Sequence, residues 1–94
     1  MIFDMPYTLR YHPKVRKSDI PKLDQRKKAT IKEAIETRLC TQPDRYGKPL
    51  QRTLKGYWKL RVSDYRVVYR IRQEEILILA IAHRKEVYKR VKKR

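Results

Sequence analysis

The stretch LKGYWKLRVSDYRVVYRI, residues 54–71, is the strongest indication of fold in this chain of 94 residues. Within it, two segments in which apolar and polar residues alternate are separated only by Ser63 and Asp64, the spacing of a two-residue β-hairpin loop. A third apolar segment, ILILAIA, follows after a short polar connection, and short connections join antiparallel neighbours. The predicted strands of this meander are residues 57–62, 65–71 and 76–82.

The residues before the hairpin predict one further strand and two helices. Residues 7–11 alternate as a strand does, and Pro13 suits the first turn of a short helix that ends near Lys17. Pro21 disfavours one unbroken helix, so we expect a corner around it. A longer helix is predicted from an N-cap at Asp24. Its apolar stripe consists of Ile31, Ala34, Ile35 and Leu39.

The remaining segments complete the predicted domain. Residues 41–49 collect Pro, Asp, Gly and Pro and predict a loop. Residues 83–94, with Val87 and Val91 four apart, predict a short helix or an extension of the last strand. We therefore predict one α+β domain at 1–94, with two N-terminal helices packed on one face of a small, mostly antiparallel four-stranded twisted sheet.

Composition bears on the compartment and on cofactors. The one cysteine, Cys40, excludes an internal disulfide, and no spacing of Cys and His resembles a zinc site, so neither a metal nor another cofactor is predicted. The first 12 residues lack the apolar region of a secretory signal, and the apolar run at 76–82 is too short to cross a bilayer. We expect a soluble, cytoplasmic protein.

The net charge indicates an anionic partner. The chain has 26 Lys and Arg against 10 Asp and Glu, which gives a charge of +16 and attracts polyanions. Nucleic acid, an anionic membrane surface and a dedicated acidic protein all fit that charge. A membrane-binding helix would need a broad face of Leu, Phe and Trp, which this sequence lacks. Nucleic acid is therefore favoured, and an acidic protein partner is compatible with it.

Alternation places the hairpin cations on one face of the predicted sheet. Because successive side chains of a strand point to opposite faces, the apolar set packs under the helices and the other set faces outward. The outward set is Tyr57, Lys59, Arg61, Arg66 and Arg70. An ordinary solvated face would mix charge signs, since like charges across a ladder are destabilising, so cations alone favour an anion-binding surface. Cations beside tyrosines that can stack on bases suit single-stranded RNA.

Three motifs occur along the chain in the order seen in a known family. RYGKPL at 45–50 is followed by the hairpin stretch, with its Leu and Gly before the second strand and YRVVY in the third strand. After the apolar strand comes AHRKEVY at 82–88. In a basic chain of this length, this ordered combination resembles the RelE/ParE superfamily of bacterial toxin components.

The resemblance implies a function and a set of site residues. RelE-type members are toxins of type II toxin–antitoxin systems, and they act as ribosome-dependent endoribonucleases that cut mRNA in the A site. The implied partners are mRNA, the ribosome with its 16S rRNA, and a cognate acidic antitoxin. By motif, the implied catalytic residues are Lys59, Arg66, Arg84 and Tyr88. RelE itself has two lysines two apart on the second strand, whereas Tyr57 occupies the first position here, which leaves the general base open.

A metal-independent reaction fits these residue types. The 2′-OH of the RNA attacks the adjacent phosphorus and leaves a 2′,3′-cyclic phosphate and a 5′-OH. The guanidinium groups of Arg66 and Arg84 match phosphate oxygens and stay charged. The proton acceptor is either Lys59, which is crowded by the cationic Arg61 and Arg66, or His83, since histidine is the residue type most often used for acid–base chemistry at physiological pH.

Some of these residues also have purely structural interpretations. His83 continues the apolar alternation of the last strand and could end it on the core side. Tyr88 could stack on a base, orient the phosphate or simply pack against the sheet edge. Asp64 lies in the predicted turn, where bonding to the backbone is favoured over catalysis.

Further residues are predicted to contact RNA without taking part in the reaction. The helix and tail cations should meet ribosomal RNA phosphates rather than the scissile one, although each alone could be ordinary surface charge. The complete predicted RNA-binding set is Tyr57, Arg61, Arg70, Lys55, Lys14, Lys17, Lys92, Lys93 and Arg94.

Two functions of other classes compete with the nuclease. One is ParE-like inhibition of DNA gyrase on the same fold, and the other is a non-catalytic relative that binds RNA or the antitoxin. The resemblance implies that gyrase inhibitors lack the full catalytic set. The presence of Lys59, Arg66, Arg84 and Tyr88 together therefore favours the nuclease.

Overall fold

The computed structural model describes residues 7–94 as an α+β fold built on one five-stranded sheet. Residues 1–6 lie outside the described part of the chain. They make up half of the 12 residues from which the absence of a secretory signal was predicted. The sheet order is β1-β5-β4-β3-β2, and only β1 runs parallel to its neighbour, β5. The strands are β1 Thr8–Tyr11, β2 Lys48–Pro49, β3 Trp58–Val62, β4 Tyr65–Arg72 and β5 Glu75–His83.

The helices differ in regularity. The α-helices are α1 Gln25–Ala34, α2 Pro43–Tyr46 and α3 Val87–Lys92; π-helical turns occupy Val15–Asp19 and Ile35–Leu39, and 3₁₀ turns occupy Ile20–Lys22 and Arg52–Leu54. The predicted N-cap is confirmed, because the Asp24 carboxylate accepts a hydrogen bond of 2.8 Å from the Lys27 N–H. The predicted corner falls at Leu23, whose backbone is extended. Within residues 7–94, every helix is too short or too polar to span a membrane.

The prediction of a loop at residues 41–49 was wrong. Pro43 opens α2, where a missing N–H costs nothing, and Lys48–Pro49 forms β2 against Trp58 and Lys59 of β3. A long-range contact holds this segment, since the buried Tyr69 hydroxyl donates to the Pro43 carbonyl at 2.7 Å. Gly47 is required beside it, because a Cβ there would overlap the Tyr69 hydroxyl. The sheet therefore has five strands instead of the four predicted.

The main core lies between the sheet and the N-terminal helices. Ile31, Ala34, Ile35 and Leu39, the stripe predicted from their spacing, are all buried. They pack with Val15 and Leu23 from the preceding turns onto one side of the sheet, which we call the helix face. The side chains that the sheet contributes to this core are Leu60, Val62, Val67, Tyr69, Ile76, Ile78 and Ile81.

The last segment forms a helix on the opposite side of the sheet. Val87 and Val91 of α3 bury themselves against Val68, Ala80 and Ala82, and the two alanines let the helix approach closely. The prediction of helices on one face only was therefore incomplete. The reason is that the sequence did not distinguish a helix from a strand extension for residues 83–94, so no helix was assigned to this side of the sheet.

Candidate nucleic-acid interface

The prediction that the hairpin cations lie on one side of the sheet is confirmed. In the β3–β4 ladder, Lys59 pairs with Val68 and Arg61 pairs with Arg66, and directly paired residues project from the same side. We call this side, which carries Tyr57, Lys59, Arg61, Arg66 and Arg70, the cation face. It is the side on which α3 packs, because Val68 belongs to the cluster under that helix.

The cations of this face differ in their access to solvent. Arg61 is exposed, and Lys59 and Arg70 are half-buried. Arg66, predicted to be exposed, is only 6% exposed. Its Nη1 donates to the carbonyls of Ser63 (3.0 Å) and Tyr65 (2.8 Å), so the guanidinium satisfies backbone acceptors at the hairpin turn. Arg66 therefore lies on the predicted side of the sheet, but the prediction that it is exposed was wrong, because these hydrogen bonds hold its guanidinium against the turn.

Aromatic side chains border the cation face. The Arg70 guanidinium carbon lies 5.6 Å from the ring centroid of Tyr57, within the range of a cation–π contact. Tyr57 and Tyr88 are both partly buried against the cluster under α3. The structure therefore brings Tyr57 of the hairpin and Tyr88 of α3 to the same side of the sheet.

Arg84 lies at the hairpin end of the sheet. Its backbone N–H donates to the carbonyl of Asp64 at 2.9 Å, so the turn after β5 is tied to the β3–β4 turn. Asp64 thus takes part in backbone bonding, in agreement with its predicted place in a turn. The Arg84 side chain is exposed, and Arg61 and Arg66 pair at the same end of the sheet. The backbone of Arg84 is therefore held at the same end of the sheet as Arg61 and Arg66.

His83 is not brought together with Lys59. It pairs with Tyr65, and the two rings pack edge to face with centroids 6.0 Å apart on the helix face. Its Nδ1 accepts a hydrogen bond of 3.2 Å from the Lys85 N–H. The β4–β5 register shifts between Val68 and Tyr69, and this bulge interrupts the strict alternation expected along β5. The structure agrees with the interpretation that His83 ends the strand on the core side.

The remaining predicted RNA-binding cations fall into two groups. One group is exposed and consists of Lys14, Lys17, Lys55, Lys92 and Lys93. Arg94 forms the second group alone, because its side chain is only 6% exposed and its guanidinium is bound by Asp19. The expectation that Arg94 presents its charge to RNA does not hold in this structure.

Asp19 is the residue that sequence reasoning missed. Its carboxylate is fully buried and accepts hydrogen bonds from Arg94 Nη1 (2.7 Å), Arg94 Nη2 (2.8 Å) and Arg90 Nη1 (2.9 Å). A fourth comes from the Ile81 N–H at 2.9 Å. Burial alone would raise the pKa of this carboxyl, but the bonds from Arg94 and Ile81 and the two guanidinium charges outweigh it and lower the pKa. Arg90 and Arg94 lie 71 and 75 residues after Asp19 in the chain, so no local sequence pattern indicates that they pair with it.

The other reactive groups are dispersed. Among residues 7–94, no three His, Cys, Asp or Glu side chains come together as a metal-binding group. Cys40 is buried, and burial together with the nearby Glu36 carboxylate raises the pKa of its thiol. A thiol in this state is a poor nucleophile, because the thiolate is the reactive form.

Comparisons with known proteins agree on one family. A model of the family described as "ParE toxin of type II toxin-antitoxin system, parDE" matches residues 7–88. The chain is 40% identical over 88 residues to toxin RelG of Mycobacterium tuberculosis, covering 92% of this chain and all of that protein. It is 36% identical over 73 residues to toxin RelE of the same organism, covering 76% of this chain and 75% of that protein.

A solved structure agrees with these sequence matches. The fold is similar to a chain in the crystal structure of the toxin–antitoxin complex RelBE2 from Mycobacterium tuberculosis, with a TM-score of 0.77 and 38% identity. The match covers 84% of this chain and 92% of that chain. The predicted resemblance is confirmed by both kinds of comparison.

Proposed function

This chain belongs to the ParE toxin family and is a toxin of a type II toxin–antitoxin system of the RelE/ParE superfamily; from that premise we propose that it is a ribosome-dependent endoribonuclease that cuts mRNA in the A site. One observation carries the proposal: Lys59 and Arg61 share a sheet side, and exposed Arg84 is tied to the hairpin turn beside them. Such a set of cations can hold an RNA phosphate and stabilise the charge that develops on it.

In the proposed reaction, the RNA supplies its own nucleophile. The 2′-OH forms a bond to the adjacent phosphorus, the bond to the 5′-oxygen breaks, and the products are a 2′,3′-cyclic phosphate and a 5′-OH. Arg84 and Arg61 are exposed and can bind the phosphate oxygens. Arg66 can join them only by exchanging the Ser63 and Tyr65 carbonyls for phosphate.

Proton transfer is assigned by position on the sheet. Lys59 lies on the cation face, whereas His83 lies on the helix face against Tyr65, so the geometry favours Lys59 as the group that takes the 2′-OH proton. A second proton must reach the leaving 5′-oxygen. Tyr88, which borders the cation face, is proposed to stack on a base or orient the phosphate.

The proposed partners follow from charge and from the family. The related RelBE2 structure is a toxin–antitoxin complex, and a chain of charge +16 favours an acidic antitoxin that covers the cation face. The exposed Lys14, Lys17, Lys55, Lys92 and Lys93 are proposed to bind ribosomal RNA phosphates. Action on translating ribosomes places the protein in the cytoplasm.

The test is cleavage of an mRNA whose codon occupies the A site of purified ribosomes. We expect a cut within that codon that leaves a cyclic phosphate, and we expect Arg84→Ala to abolish it while the fold is retained. Arg26→Ala is the matched control, because Arg26 is an exposed arginine on α1. Full cleavage by Arg84→Ala would remove Arg84 from the reaction, and no cleavage by the wild type would refute the nuclease.

Inhibition of DNA gyrase is the second candidate function. The family description, which names ParE, favours it. Gyrase supercoiling should therefore be assayed in parallel with ribosomal cleavage. Loss of supercoiling without mRNA cleavage would replace the nuclease by gyrase inhibition, whereas cleavage with unaffected supercoiling would exclude the gyrase function.

A further inference from the structure

Beyond the end of β1, side chains instead of a neighbouring strand make the hydrogen bonds at the edge of β5. β1 reaches only to Tyr11, opposite Ile78, and His12 N–H then donates to the Ile78 carbonyl. Farther along this strand, the Asp19 carboxylate accepts from the Ile81 N–H at 2.9 Å, and the Arg94 guanidinium donates to the Leu79 carbonyl at 2.8 Å. Asp19 and Arg94 therefore supply bonds that a neighbouring strand would otherwise make.

The same two residues connect parts of the chain that lie on opposite sides of the sheet. Asp19 ends the turn Val15–Asp19, which packs on the helix face. Arg90 belongs to α3 and Arg94 follows it, and α3 packs on the cation face. The ion pairs thus fasten the end of α3 to the N-terminal helical segment around the edge of β5.

α3 depends on this attachment because its other contacts are few. The helix has only six residues, and a helix of that length is not stable by itself in water. The buried part of its apolar anchor is small, with Val87 and Val91 on one valine and two alanines, and the other apolar side chains around it are only partly buried. The buried Asp19 charge, in turn, is tolerated only because both guanidinium groups and a backbone N–H pair with it.

Two residues of the proposed active site are held by α3. Tyr88 lies on the helix itself, and Arg84 lies in the turn that leads into it. The turn is tied to the hairpin at one end through the Arg84 N–H, while the Asp19 ion pairs tie the far end of α3. Loss of the Asp19 charge would release one end of α3 from the sheet edge, while the turn that carries Arg84 stays tied to the hairpin.

We propose that Asp19 is a positioning residue, which fixes α3 on the cation face and thereby keeps Tyr88 and Arg84 in place relative to Lys59 and Arg61. This inference rests on the proposed nuclease function. It assigns a part in the reaction to a fully buried carboxylate that lies outside the motifs from which the catalytic residues were predicted.

The first experiment compares Asp19→Asn with the wild type in ribosomal mRNA cleavage. The amide keeps the size of the side chain but removes the charge that pairs with both arginines. We expect kcat to fall roughly 10- to 100-fold, because small misplacements of reacting groups have effects of that order, with KM nearly unchanged. Glu75→Gln is the matched control: it also neutralises a carboxylate paired with an arginine, Arg10, but on the exposed edge of the sheet.

A double-mutant cycle separates positioning from general loss of stability. In a Tyr88→Ala background, Asp19→Asn should lower kcat by a smaller factor than it does in the wild type, because one of the two groups that Asp19 positions is already gone. Equal fold-losses in both backgrounds would overturn a role through Tyr88. If Asp19→Asn does not fold, Arg94→Met and Arg94→Lys replace it in the cycle, and the lysine variant should retain more activity.

Hydrogen exchange of the α3 amides tests the same attachment without the reaction. We expect faster exchange at Tyr88–Val91 in Asp19→Asn, with the protection of β4 and β5 retained. Unchanged exchange of α3 would overturn the positioning role even if the wild type cleaves mRNA. A wild type that cleaves no mRNA would refute the proposed function, and the positioning role would fall with it. Faster α3 exchange in Asp19→Asn would in that case show that the attachment itself is real.

Discussion

The two faces of the sheet are held by different interactions. On the helix face, apolar side chains from three helical segments and three strands form one continuous buried cluster. On the cation face, the buried cluster is smaller: Val87 and Val91 pack on Val68 and two alanines, partly buried side chains border them, and hydrogen bonds and ion pairs add further attachments. The fold is therefore secured from one side, which leaves the other side free to carry cations that are unfavourable for stability.

The largest expected effect separates the two faces directly. Ile35→Ala empties a fully buried site on the helix face and should lower the free energy of unfolding by about 2–5 kcal/mol. Val91→Ala, on the cation face, should loosen α3 and leave the global transition nearly unchanged. Urea denaturation followed by circular dichroism measures both. Equal losses would show that the two faces are equally important for stability.

A smaller effect is expected at the contact that places β2. Gly47→Ala must displace the Tyr69 ring and break its bond to Pro43, a strain that should lower the free energy of unfolding by about 1–3 kcal/mol. Tyr69→Phe removes the hydroxyl that a new Cβ would meet, so the two changes together should lower stability by less than the sum of their separate effects. Additive losses in thermal denaturation would mean that Gly47 does not act through Tyr69.

The Asp19 attachment should give stability a specific dependence on pH. The pKa of Asp19 in the folded protein is lowered below 3.8, the ordinary value that applies to the unfolded chain. Between the folded and the unfolded pKa, the unfolded state therefore binds more protons than the folded state does. The stabilisation is complete above pH 3.8 and is lost as the pH falls through the folded value. The difference in urea midpoint between wild type and Asp19→Asn should therefore shrink on acidification. A difference that stays constant down to pH 2.5 would contradict this assignment.

The smallest effect is expected for the exposed ion pair of Arg10 and Glu75. Its atoms are 2.9 Å apart, but both side chains are largely in solvent, so Glu75→Gln should change the free energy of unfolding by about 0–1 kcal/mol. Any difference should vanish at high salt, because exposed charges are screened. A large, salt-independent loss would show that the surface pair resembles the Asp19 cluster after all.

The sheet side of several candidate site residues could be predicted from their spacing alone. Lys59 and Arg61 share a face because strand side chains alternate, and the two-residue loop at Ser63 and Asp64 sets the register that brings Arg61 opposite Arg66. What spacing cannot reveal is the depth at which a side chain lies. Arg66 has the same predicted direction as Arg61, yet it folds back onto the carbonyls of its own turn.

The hairpin, the apolar stripe of residues 31–39, the N-cap of α1 and the charge of the cation face could all be predicted from local sequence, because they depend on neighbours within a few residues. Three further features became visible in the folded protein: α3 covers part of that face, the bulge in the β4–β5 ladder goes with His83 on the helix face, and Asp19 binds Arg90 and Arg94. These features depend on contacts between residues that are far apart in the chain. A buried charge needs a partner close in space, and the local sequence around Asp19 does not indicate which residue that partner is.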